Sequence, residues 1–127
     1  MEDTPPQKDF EPFRIKEKVG DMMKYGMPIT CGFSRRNKEL ADEIRRSMLT
    51  MYRLTVKIEK KYFKKTTTQD LDEELAVLRH LIRMAADKDY SGQKYAPPLT
   101  RHQEEVWSRM NDEIGRMIGG YIKSLPK

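Results

Sequence analysis

Two arginines one helical turn apart, Arg79 and Arg83 in the run LAVLRHLIRMAA at 75–86, are the residues whose type and spacing point most directly to chemistry. At about 100° per residue, Leu71, Leu75, Leu78 and Ile82 make one apolar stripe, widened by Leu81 and Ala85, and the arginines lie beside it. Like charges at i and i+4 repel by roughly 0.2–0.5 kcal/mol in an isolated helix, so the pair does not serve helix stability. The spacing predicts an anion, or the carboxylate of a partner, beside the two guanidinium groups. Two solvated arginines on an exposed face are the plain alternative.

No other set of residues makes a reactive constellation. The sequence holds no GxSxG, phosphate loop, HExxH or paired carboxylates in apolar surroundings. His80 and His102 belong to different helices; His80 is expected at the edge of a core or an interface and His102 exposed in a first helical turn. The single Cys31 forms no internal disulfide and reads as an inert loop or helix-end residue, and no Cys/His spacing suggests a metal. The nine methionines recur at helical core spacing, where packing explains them, and Trp107 reads as a core anchor. The expectation is a protein that is not an enzyme and uses neither metal nor cofactor.

Composition sets the frame for these residues. A chain of 127 residues, 37% hydrophobic and 35% charged, is one soluble, highly charged, helical domain with a modest core. No apolar run approaches the roughly 18 residues of a membrane span, and the start MEDTPP is no signal peptide, so a cytoplasmic protein is expected. The net charge of +5 is unevenly spread: residues 35–65 hold eleven Lys/Arg against four Asp/Glu, whereas residues 69–89 hold three against six. The middle of the chain therefore carries the positive field and suits an anionic partner.

The elements that position the charges follow from periodicity. Residues 1–11 read as a mobile acidic tail and residues 12–125 as the folded domain, with 126–127 as its end. Pro12 suits a first helical position, and Ile15, Val19, Met22 and Met23 carry helix one to Tyr25 or slightly beyond, where Gly26 and Pro28 weaken it. Thr30 to Ser34 connects to helix two, with Ser34 a candidate N-cap. Helix two, read as 35–65, would span about 45 Å. Its core stripe is Ile44, Met48, Met51, Thr55, Ile58 and Tyr62, and Arg46, Arg53, Lys57, Lys60 and Lys64 form a cationic ridge on the opposite side. A second apolar seam, Leu49, Val56 and Phe63 with Tyr52 nearby, suggests a subunit contact or a larger contact with helix one.

TTTQD at 66–70 breaks the pattern, with Asp70 and Glu73 as a capping-box analogue opening helix three. After it comes the loop DYSGQKYAPP (89–98), whose Tyr90 and Tyr95 are expected to fold back over the bundle end. Thr100 with Gln103 caps helix four, whose stripe is Val106, Met110, Ile114, Met117, Tyr121 and Leu125, widened by Trp107 and Ile118. Gly115, Gly119 and Gly120 in that helix ask for a close helix approach, or, at 119–120, for a frayed end. The fold class is all-α: four helices with short connections, an antiparallel bundle running up-down-up-down.

The runs LAVLRHLIRMAAD, LTRHQ and WSRMNDEIGRMIGGYIKSL, with YGMPITCGFSRRNKELADEIRRSM before them, resemble the accessory variability determinant family of diversity-generating retroelements over residues 13–125. That resemblance implies a four-helix bundle assembled into a ring or barrel-like homopentamer. It implies a non-catalytic subunit that binds the reverse transcriptase of the retroelement, and RNA or DNA (template RNA and cDNA) largely through phosphates, in support of mutagenic cDNA synthesis and homing. The family's contact residues match Arg79 and Arg83 and, more loosely, Arg35 and Arg36. The chain departs from the pattern in its longer 87–98 loop and its lysine-rich end of helix two. Proteins encoded in intervening sequences of 23S ribosomal RNA genes share the four-helix design and a related EIGRM…IKSL ending, which leaves an orphan bundle with an RNA-binding or structural role as the alternative.

Overall fold

A computed structural model describes residues 7–126, with side chains from Glu11 onward. Four helices account for most of it: α1 Gln7–Cys31, α2 Lys38–Lys60, α3 Lys65–Ala86 and α4 Arg101–Ser124, with a short 3-10 turn at Arg35–Asn37 and no strand among the described residues. α1 packs against α2 and α4, and α3 against the same two, so the helices enclose one core as a bundle.

The core stripe of α2 forms at the predicted positions: Ile44, Met48, Met51, Thr55 and Ile58 are all buried. Around them lie Ile15, Val19 and Met22 from α1, Leu71, Leu75, Leu78 and Ile82 from α3, and Trp107, Ile114, Ile118 and Tyr121 from α4. Removing apolar area from water at about 25 cal/mol per Å² is the main force holding the four stripes together. Polar ties lock neighbouring helices in register. Lys16 reaches Glu59 at 2.7 Å between α1 and α2, Ser47 donates to Glu74 at 2.7 Å between α2 and α3, and Lys18 meets Glu113 at 3.2 Å between α1 and α4.

Element boundaries depart from the periodicity at several helix ends: α1 runs through Gly26 and Pro28 to Cys31, taking in the first residues of the expected Thr30–Ser34 connector, and α2 begins at Lys38 after the 3-10 turn. α1 starts at Gln7, so residues 7–11 belong to the helix and Pro12 lies inside it; the rest of the expected tail is outside the described residues. α2 ends at Lys60, five residues earlier than read, and α3 begins at Lys65, so Thr66–Asp70 is helical and the Asp70/Glu73 cap does not form. Threonine is tolerated in that first turn because Thr68 Oγ1 bonds back to the Lys64 carbonyl at 2.7 Å, while Thr67 and Thr68 are buried. Tyr62, placed on the core stripe by spacing, falls in the connector and is 90% exposed.

On α4 the buried stripe is Trp107, Asn111, Ile114, Ile118 and Tyr121, rotated from the predicted one; Val106, Met110 and Met117 are only half-buried. The polar Asn111 in the middle of this stripe is what hid it. Thr100 and Gln103 form the expected reciprocal capping box, both bonds 3.0 Å long. The end of the bundle is closed by Leu99, buried and bonded through its N–H to the Ala85 carbonyl at 3.1 Å, while Tyr90 and Tyr95 remain exposed.

Of the three glycines of α4 only Gly115 marks a close helix approach, a Cβ there lying 3.1 Å from Arg79 Nη2 and 3.5 Å from Leu75 Cδ2 of α3, and the tightest approach is at Gly26 instead. A Cβ on Gly119 or Gly120 would meet nothing within 4 Å, whereas one on Gly26 would sit 2.3 Å from Cζ2 of Trp107. Gly26 is the residue that lets α1 lie directly on the Trp107 ring of α4, with Tyr25 meeting the same ring edge-to-face at 6.2 Å.

Candidate nucleic-acid and partner interface

The two arginines of α3 have different fates. Arg79 turns toward α4, where its Nη1 reaches the Asp112 carboxylate at 2.7 Å and its Nη2 donates to the Asn111 carbonyl at 3.0 Å. Gly115 makes room for this: a Cβ there would lie 3.1 Å from Arg79 Nη2. The carboxylate expected beside the pair is thus supplied by the chain itself. Arg79 acts as a strap between α3 and α4, and as a half-exposed ion pair with an added carbonyl bond it contributes about 1 kcal/mol.

Arg83 is exposed and makes no ion pair or hydrogen bond among the described residues. It borders a cleft of about 30 Å³ between α3 and α4, lined also by Arg79, Ile82, Glu104, Ser108 and Asn111. The cleft is too small to admit a phosphate, so an anion would meet the Arg83 head at the surface. His80, next to the pair, is exposed rather than edging the core, and its Nδ1 donates to the Ala76 carbonyl at 2.8 Å.

The α2 ridge is a separate positive surface. Arg46, Arg53, Lys57 and Lys60 are all exposed on the side of α2 away from its core stripe. Arg46 is paired with Glu43, whereas Arg53, Lys57 and Lys60 have no ion-pair partner among the described residues. Lys64 leaves the ridge: it lies beyond the end of α2 and serves as the N-cap position of α3. Glu59, the one acid near this end, is held by Lys16, whose ammonium is raised above the ordinary lysine pKa by its hydrogen bond to that carboxylate. On one chain the ridge and Arg83 do not merge, because the arginine pair faces α4 and α4 is not a packing neighbour of α2.

Arg35 and Arg36 occupy the 3-10 turn before α2 and are exposed. Arg36 lies 3.7 Å over the ring of Tyr95, a cation–π contact that ties the α1–α2 connector to the long α3–α4 loop at one end of the bundle. That contact gives Tyr95 a role which spacing did not reveal. The Ser-Gly and Pro-Pro pairs mark 89–98 as a loop, but the stacking partner comes from a distant connector.

The apolar seam of α2 is present in part. Leu49, Tyr52 and Val56 are 51%, 38% and 38% exposed on one side of the helix. Tyr52 also reaches α1, its Cε1 lying 3.8 Å from the position a Cβ would take on Gly20, so the seam borders helix one while Leu49 and Val56 face outward. Phe63 does not continue it, since the chain has left the helix two residues earlier.

Among the described residues no group of His, Cys, Asp and Glu is placed to hold a metal ion. No described helix is long and apolar enough to cross a membrane. A second cleft, of about 300 Å³, lies between the start of α1 and the end of α4 and is lined by Glu11, Arg116, Met117, Gly120, Tyr121 and Ser124.

The fold is thus an all-α bundle of four helices, and Arg53, Lys57, Lys60 and Arg83, which have no ion-pair partner among the described residues, lie exposed on its helix sides. The sequence matches the bAvd-like family over residues 13–125, which takes in all but the two ends of the chain. The chain belongs to the bAvd-like family and is an Avd-like four-helix bundle protein. No curated protein matches it.

Proposed function

We propose that this protein is a non-enzymatic accessory subunit of a diversity-generating retroelement, binding the reverse transcriptase and the template RNA or cDNA during mutagenic cDNA synthesis and homing. The family match over residues 13–125 is the observation that carries this reading. The exposed cations Arg53, Lys57, Lys60 and Arg83 support it, because phosphate neutralisation needs positive groups whose charge is not already spent on neighbouring carboxylates. The chain presents these groups from helix sides, and binding in this reading rests on phosphates and discriminates little between sequences.

Assembly follows the same reading: an up-down-up-down bundle that closes into a homopentameric ring in the cytoplasm. Leu49, Tyr52 and Val56 are the contact residues proposed for it, exposed apolar groups that a neighbouring copy would cover. A ring repeats every positive surface around one axis and concentrates positive potential more than one chain does. Arg35, Arg36 and Arg46 belong to the positive surface, with Arg36 limited by its Tyr95 contact and Arg46 by Glu43.

The arginine pair tests the proposal, and the geometry separates its members. Arg83→Ala is expected to weaken nucleic-acid binding roughly threefold to tenfold at low salt, with one fewer counterion released, and to leave stability unchanged. Arg79→Ala is expected to lower stability by about 1 kcal/mol through loss of the α3–α4 strap, with a smaller effect on binding. Fluorescence anisotropy with a labelled oligonucleotide and urea unfolding measure the two effects. A folded, oligomeric double variant that binds nucleic acid and reverse transcriptase like the wild type would refute the assignment.

A further inference from the structure

The turn between α2 and α3 carries a feature that a purely electrostatic surface leaves unexplained. Residues 60–65 read Lys-Lys-Tyr-Phe-Lys-Lys. Tyr62 and Phe63 are 90% and 83% exposed, more than any other large apolar side chain among the described residues. Their rings meet edge-to-face, with centroids 4.9 Å apart and planes at 88°. Lys61 takes an extended conformation (φ −86°, ψ 149°) immediately after α2, which leads the two aromatics away from the helix end. They therefore add little to the core, and their position serves something outside it.

The charge around them identifies the occupant. Residues 57–65 hold five lysines and a single acid, Glu59, which is already bound by Lys16. Lys57, Lys60 and Lys61 are exposed and form no ion pair among the described residues. An apolar protein partner covering the rings would have to desolvate these ammonium groups, whereas a polyanion with flat faces satisfies both the rings and the lysines.

We propose that the α2–α3 turn is a subsite for single-stranded nucleic acid, with unpaired bases stacking on Tyr62 and Phe63 and Lys57, Lys60 and Lys61 contacting the flanking phosphates. This rests on the nucleic-acid reading above and deepens it by naming the strand state that is bound. Within a duplex the bases cover one another, so away from its ends only an unpaired base has a face free to lie on a ring. The 88° angle between the rings reinforces this: a strand stacking one base on each ring must turn sharply between them, which a single strand does and a duplex does not. Stacking on two rings is sequence-tolerant, in keeping with a protein that reads no base edges.

The test compares the full-length wild type, Tyr62→Ala/Phe63→Ala and Tyr62→Phe by anisotropy, using a labelled single-stranded oligonucleotide of mixed sequence and its duplex, with oligomeric mass read by sedimentation. Because both side chains are exposed, the double variant is expected to fold and to keep its mass. Its single-strand affinity should fall about tenfold or more while duplex affinity changes by less than about twofold. Tyr62→Phe, which keeps the ring, should bind as the wild type does, and a 2-aminopurine in the strand should be quenched by these two proteins but not by the double variant. Equal single-strand affinity of wild type and double variant would overturn the subsite alone, as would an equal loss on duplex. A changed oligomeric mass, or loss of the reverse transcriptase with nucleic-acid binding intact, would overturn it by making the rings a protein contact. Failure of the wild type to bind either form would instead bring down the nucleic-acid reading itself.

Discussion

Gly26→Ala is expected to destabilise the bundle by about 2–3 kcal/mol, a fall in melting temperature of roughly 10 °C. The added Cβ would lie 2.3 Å from Cζ2 and 2.9 Å from both Cε2 and Cη2 of Trp107, atoms of a rigid ring that is itself fully buried. Alanine gains about 1 kcal/mol of helix propensity over glycine, which would make the change stabilising in an exposed helix. Overpacking against a ring that cannot rotate away costs more than that gain, so the sign reverses. Trp107→Phe in the same background should recover part of the loss, because the smaller ring vacates the space. Trp107 Nε1 has no hydrogen-bond partner among the described residues, so phenylalanine forfeits no bond there. Urea unfolding of the four proteins in this double-mutant cycle measures the coupling, and additive effects would contradict the packing argument.

Reversing the α2 ridge with Arg53→Glu, Lys57→Glu and Lys60→Glu is expected to lower nucleic-acid affinity by about two orders of magnitude or more at low salt. The three side chains are exposed and unpaired among the described residues, so their charge is available to phosphates. Each phosphate contact removed reduces the slope of log K against log salt by about 0.9 on duplex and about 0.7 on a single strand, so the slope should shrink by about 2–3. Lys57 and Lys60 lie in the last turn of α2, where cations favour the helix dipole, and their reversal costs roughly 0.3–1 kcal/mol each in helix stability. That cost is small against the binding effect, and circular dichroism checks it. A triple variant that binds with wild-type affinity and wild-type salt dependence would place the interface elsewhere.

What the sequence made legible was set by how far local pattern decides structure. On α2 the 4, 3 spacing of Ile44, Met48, Met51, Thr55 and Ile58 is carried by strongly apolar residues and matches the buried face. Thr100 and Gln103 were readable because a capping box is local chemistry, complete within four residues. The break after Lys60 was not, since the connector 61–64 contains neither glycine nor proline and the following threonines imitate a loop while helical. The stripe of α4 was misplaced because Asn111 is buried in it with both side-chain polar atoms lacking a partner among the described residues, an arrangement that hydropathy counts as exposed.

The candidate site shows the same division. That Arg79 and Arg83 differ from ordinary helix residues was visible in their i, i+4 repulsion, but which of them is engaged depends on Asp112 and Asn111, thirty-odd residues away. The Gly26–Trp107 contact and the Arg36–Tyr95 stack are likewise products of helix packing and loop placement, with no local signal. Tyr62 and Phe63 were assigned to faces of a helix that has ended before them, and their exposure follows from that ending alone.

Co-purification of the tagged protein with the reverse transcriptase of the retroelement proposed to encode it, from cells expressing both and with and without nuclease treatment of the lysate, tests the proposed role most directly. If that role holds, the reverse transcriptase is retained in both arms and RNA or cDNA accompanies the untreated complex. Recovery of the protein with neither reverse transcriptase nor nucleic acid in either arm would contradict it.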